Sequence, residues 1–163
     1  MDAVAEAADI SRPGLYFLFS SKDVLFHETM RQALETALGD ARTALAAPGA
    51  DLNARVVAAL DANMGRYVGT HISAGFDGLL ENGTAPLHAM YDEYRTAFLD
   101  ALTDAVAAAA GRTIGCATPR QIAEVLQAAG EGWKHRVSDR SEFVEKLTMT
   151  VAVALPMSST GGR

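Results

Sequence analysis

Helix-start signals recur along this 163-residue chain at intervals that fit one α-helix after another. Ser11 precedes Pro13, Asp51 precedes an apolar run, and the stretch TPRQ from Thr118 combines a capping box with a proline in the first helical turn. Alanine, the strongest helix former, is abundant, and strand-like alternation is scarce. These signals predict an all-α fold without internal repeats.

Apolar periodicity and helix-stop residues give the expected bounds of each element. We expect helices over residues 2–8, from Ser11, over 22–47 with Ser20 and Asp23 as a capping box, from Asp51, from Pro86 to Gly111, from Thr118, and over 143–155 after a cap at Ser138 or Asp139. Frequent glycines predict a short, irregular helix within 69–83, and residues 157–163 are predicted to be disordered.

Composition limits the class of protein. A formal net charge of −6 argues against general adhesion to nucleic acid or membrane, although it allows a local basic patch. The single cysteine, Cys116, excludes an intrachain disulfide and fits a reducing compartment. A signal segment is missing, and so is an apolar run of about 18 residues. We therefore expect a soluble, cytoplasmic protein that does not enter a membrane.

The stretch ISRPGLYFLFSSKDVLF, residues 10–26, follows the first short helix through a tight turn. Two short helices joined in this way are the layout of a helix-turn-helix. Ala5 is expected where the helices cross, with apolar contacts from Val4, Ala8, Ile10, Leu15 and Phe19. The outward end of the second helix enters the major groove in this motif. It carries Arg12, Pro13, Gly14, Tyr16 and Phe17, and Lys22 follows as a phosphate clamp.

The longer segment DAVAEAADISRPGLYFLFSSKDVLF is similar to the DNA-binding segment of the TetR family of bacterial transcription regulators. The matching residues are Ala5, Ala8, Ser11, Leu15, Tyr16, Phe19, Lys22 and Leu25. The resemblance implies DNA-binding roles for Ser11, Arg12, Pro13, Gly14, Tyr16, Phe17 and Lys22. Tyr16 and Lys22 would contact phosphates. Arg12, Gly14 and Phe17 would face bases or sugars, and Pro13 would touch a thymine methyl.

The resemblance also implies a domain division and a mode of action. Residues 1–46 would form the helix-turn-helix segment with its connecting helix, and 47–156 a ligand-binding and dimerisation bundle. The family pattern is a homodimer that represses transcription from a palindromic operator until a small-molecule effector releases it.

Two departures from the family pattern carry expectations. Asp9 stands where the family usually has glycine, so we expect a positive φ there. The family also has a helix before the one starting at Asp2, and we expect that helix to be missing from an N-terminally incomplete chain. Residues 1–26 hold two basic and four acidic residues, a net charge of −2. We therefore expect weak or no DNA binding by these 163 residues alone.

Aromatic, methionine and histidine residues in the second half are the candidate effector contacts. They are Met64, Tyr67, His71, Phe76, Met90, Tyr94, Phe98 and Trp133. Such residues either line an apolar cavity with a few polar groups or form ordinary core. His71 and Tyr94 are the expected polar contacts, and the expected effector is small and apolar or amphipathic.

The final two helices are the candidate dimer interface. The predicted interface residues are Gly130, Trp133, Phe143, Leu147, Val151 and Leu155. Glycines weaken a helix unless they admit another backbone, and the last helix is apolar on more than one face. A second subunit covers such a helix most simply, and a central buried helix of a monomer is the alternative.

Catalytic and metal-binding patterns are not apparent. The four histidines are scattered, and neither a nucleophile elbow nor a phosphate-binding glycine loop is found. We expect no enzyme activity, no metal and no cofactor. Two other classes stay open: a helical ligand-binding and dimerisation module that has lost DNA binding, and an all-α enzyme.

Overall fold

The computed structural model describes residues 1–70, 83–110 and 116–155. Within these ranges the chain forms α-helices and no strand, which confirms the all-α prediction. The helices are α1 (Asp2–Ala7), α2 (Arg12–Leu18), α3 (Lys22–Leu45), α4 (Leu52–Met64), α5 (Ala85–Ala110), α6 (Pro119–Lys134) and α7 (Arg140–Ala154), with a 3₁₀ turn (Gly65–Tyr67) after α4. The expectations for residues 71–82 and 157–163 lie outside the described residues.

Side-chain caps begin most of the helices where the sequence predicts them. Ser11, Asp51 and Asp139 each accept a hydrogen bond from the backbone N–H three residues on, at 2.8–3.1 Å. Thr118 and Gln121 form the predicted capping box, each side chain bonded to the other's backbone N–H. These bonds satisfy amides that a helix leaves unpaired at its first turn.

The start of α3 differs from the prediction. The Val24 N–H donates to Ser21 Oγ at 3.1 Å, so Ser21 caps this helix and a box of Ser20 with Asp23 does not. The reason is register: α3 begins at Lys22, and the capping residue directly precedes the first helical residue. Smaller shifts occur at other ends, since α1 ends at Ala7 and α3 at Leu45.

Two compact units divide the chain, Met1–Glu35 and Thr36–Arg163. In the first, α1 packs on α2, and Ala5 and Leu15 are almost fully buried. Ala5 is therefore buried as predicted, whereas Val4 and Ile10 keep 42% and 38% of their surface exposed. Met30 and Leu34 of α3 are the other buried apolar residues of this unit.

The second unit is built from the end of α3 and from α4 to α7. Helix α6 packs on α5 and α7, and α4 packs on α7. The largest fully buried side chains are Val56, Leu60, Phe98, Leu102, Val106, Leu126, Phe143, Leu147 and Val151. They confirm the apolar stripes predicted on α4 and α5. Gly130 makes room in this core, because a Cβ there would lie 2.8 Å from Met64 Sδ.

No helix in the described ranges is both long enough and apolar enough to cross a membrane.

Candidate functional site

The turn between α1 and α2 has a defined backbone geometry. Asp9 has φ 53°, which confirms the predicted positive φ. The Asp9 N–H donates to the Glu6 carbonyl at 3.2 Å, and the Ile10 N–H donates to the Ala5 carbonyl at 3.0 Å. This pair of bonds is a Schellman motif, which ends a helix with one residue in the left-handed region. The turn therefore fixes the direction in which the chain enters α2.

Helix α2 begins at a tightly packed cap. Ser11 Oγ accepts the Gly14 N–H at 3.1 Å, and Pro13 lies in the first turn. A Cβ at residue 14 would lie 3.1 Å from the same Oγ, so glycine leaves space for the cap. Leu15 faces inward with 2% of its surface exposed. Because the face of α2 that carries Leu15 packs inward, the opposite face of this helix is exposed.

That outward face carries an arginine and two aromatic rings. Phe17 is 91% exposed and Tyr16 is 42% exposed. The Arg12 guanidinium lies 5.8 Å from the centre of the Tyr16 ring, and its Nε lies 3.2 Å from Asp2 Oδ1. We call the exposed set Arg12, Pro13, Tyr16 and Phe17 the recognition corner. These four of the five predicted residues are exposed, whereas Gly14 is half-buried, and contact of any of the five with DNA stays a prediction.

Lys22 is exposed at the first residue of α3. The amides of a helix start carry a partial positive charge, and Lys22 adds a full charge beside them. This combination suits a phosphate oxygen, although the phosphate contact of Lys22 also stays a prediction. Ser11 is exposed too, but its hydroxyl already accepts the capping bond.

The comparison with known families concerns this same segment. Residues 1–29 match the model of the bacterial regulatory proteins of the tetR family, and no curated protein matches the chain. The match covers α1, α2 and the beginning of α3, which are the elements that carry the recognition corner. The chain is thus of the class of DNA-binding transcriptional regulators. The similarity to the tetR family concerns these N-terminal residues, which in that family form the DNA-binding segment.

Among the predicted effector contacts, Tyr94 has the clearest polar environment. Its hydroxyl donates to Asn63 Oδ1, which joins α5 to α4. Burial raises the pKa of Tyr94, with a further upward contribution from Tyr91, while Arg66 acts in the opposite direction. The rings of Tyr91 and Tyr94 stack at 6.1 Å between centres. Tyr94 is therefore a neutral, half-buried hydroxyl at neutral pH.

Three of the other predicted effector contacts, Met64, Phe98 and Trp133, belong to or pack against one apolar core cluster. Phe98 is fully buried in the core, Met64 fills the space beside Gly130, and Met90 is half-buried. The Trp133 Nε1–H donates to Thr150 Oγ1 at 3.0 Å. For Tyr67 only the backbone is described, at the end of the 3₁₀ turn. His71 and Phe76 lie outside the described residues.

The predicted interface side chains require a correction. Phe143, Leu147 and Val151 have no exposed surface, and Leu155 has 3%. Gly130 is buried as well, and Trp133 is half-buried. The physical reason is that the face of α7 with four-residue spacing packs against α4 and α6 of the same chain. Phe143, Leu147 and Val151 are therefore not available to a second copy in this structure, whereas Trp133 keeps part of its surface and stays a predicted interface residue.

The exposed apolar residues of α6 and α7 form a different set. Val125, Met149 and Val153 expose 59%, 58% and 83% of their surface. Ala128 and Gly132 are also exposed, three and seven residues after Val125, and therefore share its helix face. No atom lies within 4 Å of a Cβ placed at Gly132. We call Val125, Ala128, Gly132, Met149, Ala152 and Val153 the outer stripe.

Two polar residues near the candidate sites were missed by the sequence analysis. Asp2 is ten residues from its partner Arg12, and Asn63 is 31 residues from Tyr94. Asn63 had a weak signal, because it directly precedes Met64 at the edge of the apolar stripe of α4. The sequence around Asp2 gave no signal of its role apart from the charge of the side chain. In the described part of the chain, no three His, Cys, Asp or Glu side chains form a group that could hold a metal.

Proposed function

We propose that the chain is a cytoplasmic, ligand-responsive repressor that binds a palindromic operator as a homodimer and is released by a small-molecule effector. The observation that carries this proposal is the recognition corner. An anchored short helix presents an arginine, a proline and two aromatic rings outward from a segment of the tetR family. Residues 1–46 would contact DNA, and 47–156 would dimerise and bind the effector.

The chemistry of the recognition corner suits a major groove. An arginine guanidinium pairs with guanine O6 and N7, and apolar side chains contact the thymine methyl. Phe17 and Pro13 lie four residues apart on one exposed helix face and offer such an apolar surface. Tyr16 lies between Pro13 and Phe17 in sequence and Lys22 follows them; both would bind phosphates, which fix the register of a protein on the duplex.

Binding to random duplexes tests the DNA proposal. Because the sequence predicts at most weak binding by these 163 residues alone, the chain is incubated with a randomised library at about 50 mM salt, where phosphate contacts are strongest. The expected result is enrichment of a two-fold symmetric sequence with half-sites about one helical turn apart. Phe17→Ala should weaken binding to the enriched duplex, whereas the exposed control Thr96→Ala on α5 should not. Recovery of random sequences only would contradict the proposal.

The outer stripe is the proposed dimer surface. Exposed apolar side chains lie along α6 and α7, and Gly132 on α6 has no side chain. Such a surface allows two copies to pack closely around a two-fold axis. In this arrangement Met149 and Val153 of each copy would pack against the partner. The protomer's own core does not use them, since both are more than half exposed.

Charge insertion tests this surface. Val153→Glu places a carboxylate on the outer stripe and should give monomers in light scattering at micromolar concentration, because an unpaired buried charge is costly. Thr96→Glu adds the same charge at an exposed position of α5 and should leave the dimer intact. A monomeric wild-type chain, or a dimeric Val153→Glu chain, would contradict the assignment.

The effector is proposed to contact the region around Tyr94, together with Met64, Tyr67, His71, Phe76, Met90, Phe98 and Trp133. Tyr94 and Asn63 supply one hydroxyl and one amide, the kinds of polar group that orient a small amphipathic molecule in a site. An effector releases DNA only to the extent that it binds the non-operator arrangement more tightly than the operator-bound one. Tyr94→Phe should therefore weaken effector binding without changing DNA binding in the absence of effector.

One observation favours a second candidate function. Residues 1–26 have a net charge of −2, and Asp2 pairs with the arginine of the recognition corner. A helical ligand-binding and dimerisation module without DNA binding would tolerate this charge. The library experiment separates the two functions, because such a module would dimerise through the outer stripe and enrich no sequence.

A further inference from the structure

Asp2 and Arg12 form an ion pair between the two helices of the N-terminal unit. Arg12 Nε lies 3.2 Å from Asp2 Oδ1, and the two side chains are 60% and 74% exposed. The Tyr16 ring lies 5.8 Å from the same guanidinium. The carboxylate belongs to α1 and the ring to α2, so two elements hold Arg12 from different directions.

We propose that Asp2 is a positioning residue that determines base specificity by holding Arg12 for contact with a guanine; the inference rests on the DNA-binding function proposed above. A guanidinium has five N–H donors in a planar fork, and one carboxylate takes at most two of them. At least three donors therefore remain for the O6 and N7 atoms of a guanine. A side chain that is held before binding loses less conformational freedom on binding.

The same carboxylate has a second, opposite effect on DNA binding. General affinity for a duplex comes from neutralised phosphates, so a negative charge beside Arg12 weakens binding to every sequence. The positioning effect acts only at the base pair that Arg12 contacts. Asp2 thus lowers affinity for all duplexes and raises the preference for one base pair, and these two effects can be measured separately.

The test begins with the duplex that the wild-type 163-residue chain enriches. Arg12→Ala identifies the base pair read by this residue, since preference at that pair alone should disappear. Asp2→Asn should reduce the preference at the same pair by about two- to fivefold, the range expected for an exposed ion pair. It should also raise affinity for a non-specific duplex, by about twofold at low salt.

Two matched variants separate positioning from charge. Glu6→Gln removes one negative charge from another exposed position of α1, and it should raise affinity for all duplexes without changing base preference. Asp2→Glu keeps a carboxylate at the paired position and should retain most of the preference. Because Asp2 and Glu6 are both exposed, the helical circular dichroism spectrum of each variant should match the wild type.

Two results would contradict the positioning role of Asp2. The inference is wrong if Asp2→Asn behaves like Glu6→Gln, with stronger binding to every duplex and unchanged base preference. It is also wrong if Arg12→Ala alters no base preference. Failure of the wild-type chain to enrich any sequence would instead remove the proposed function, and the inference with it.

Discussion

The left-handed residue in the α1–α2 turn offers a quantitative test of the structure. Asp9 has φ 53° between two bonds of a Schellman motif. For a residue with a Cβ this conformation costs about 1–2 kcal/mol, somewhat less for aspartate. Glycine avoids this cost but loses about 0.5–1 kcal/mol through the greater freedom of its unfolded state. We therefore expect Asp9→Ala to destabilise the N-terminal unit by about 1 kcal/mol.

Asp9→Gly should be neutral or stabilising by up to about 0.5 kcal/mol, because relief of the strain is largely offset by the entropic loss of glycine. The Asp9→Ala and Asp9→Gly chains should then differ by about 1 kcal/mol, which corresponds to a factor of about five in the population of the opened unit. Asp9→Asn tests the charge alone. It keeps a side chain that tolerates the left-handed region and removes an unfavourable negative charge from the end of α1.

The assay must report on the first unit. The only tryptophan, Trp133, lies in the second unit, so its fluorescence is unsuitable. Hydrogen exchange of peptides from residues 1–26 measures local opening directly. Exchange should be fastest in Asp9→Ala and slowest in Asp9→Gly. Equal exchange in these two variants would refute the argument that the turn needs a positive φ.

Three further predictions concern the second unit. Thr118→Ala removes a capping box and should destabilise by about 1 kcal/mol in urea denaturation followed by Trp133 fluorescence; an unchanged midpoint would count against the cap. Gly130→Ala should destabilise by at most about 1 kcal/mol, because the new Cβ would lie 2.8 Å from Met64 Sδ while alanine favours the helix by about 0.5–1 kcal/mol, and a clearly stabilised chain would contradict the close contact. Burial raises the pKa of Tyr94 above its ordinary value of 10.0, so the folded chain keeps a proton that the unfolded chain releases, and stability should fall as pH rises above that value. Tyr94→Phe should reduce this alkaline loss; an identical pH profile would contradict it.

Local features of the structure followed from the sequence. Caps at Ser11, Asp51 and Asp139 depend on residues three positions apart, and such short-range patterns are visible in a sequence. The positive φ of Asp9 was predictable for the same reason, because Asp9 stands at a turn position where the similar family usually has glycine. The exposure of the recognition corner was also predictable from nearby residues. Burial of Leu15 on the opposite face of α2 determines which face of this helix is outward.

Features that depend on the packing of helices distant in sequence could not be predicted from the sequence. The four-residue spacing of Phe143, Leu147 and Val151 shows that they share a face, but not whether that face meets the same chain or a second copy. Phe143 and Met149 are both apolar residues of α7, yet one is buried and the other exposed. The bond of Tyr94 to Asn63 likewise depends on the placement of α5 beside α4.

The outward placement of α2 also bears on regulation. The proposed effector residues and the outer stripe lie in the unit Thr36–Arg163, whereas the recognition corner lies in Met1–Glu35. An effector would therefore act on DNA binding from a separate compact unit. Such coupling is a free-energy difference between two arrangements, and it is reciprocal, so saturating DNA should weaken effector binding by the same factor.

Hydrogen exchange with and without DNA tests the central claim most directly. The 163-residue chain is compared alone and with an excess of the duplex that it enriches. We expect slower hydrogen exchange in peptides that cover residues 11–22 when the duplex is bound, and little direct change of exchange in α6 and α7. Unchanged exchange over residues 11–22 in the presence of saturating duplex would contradict the claim that the outward face of α2 binds DNA.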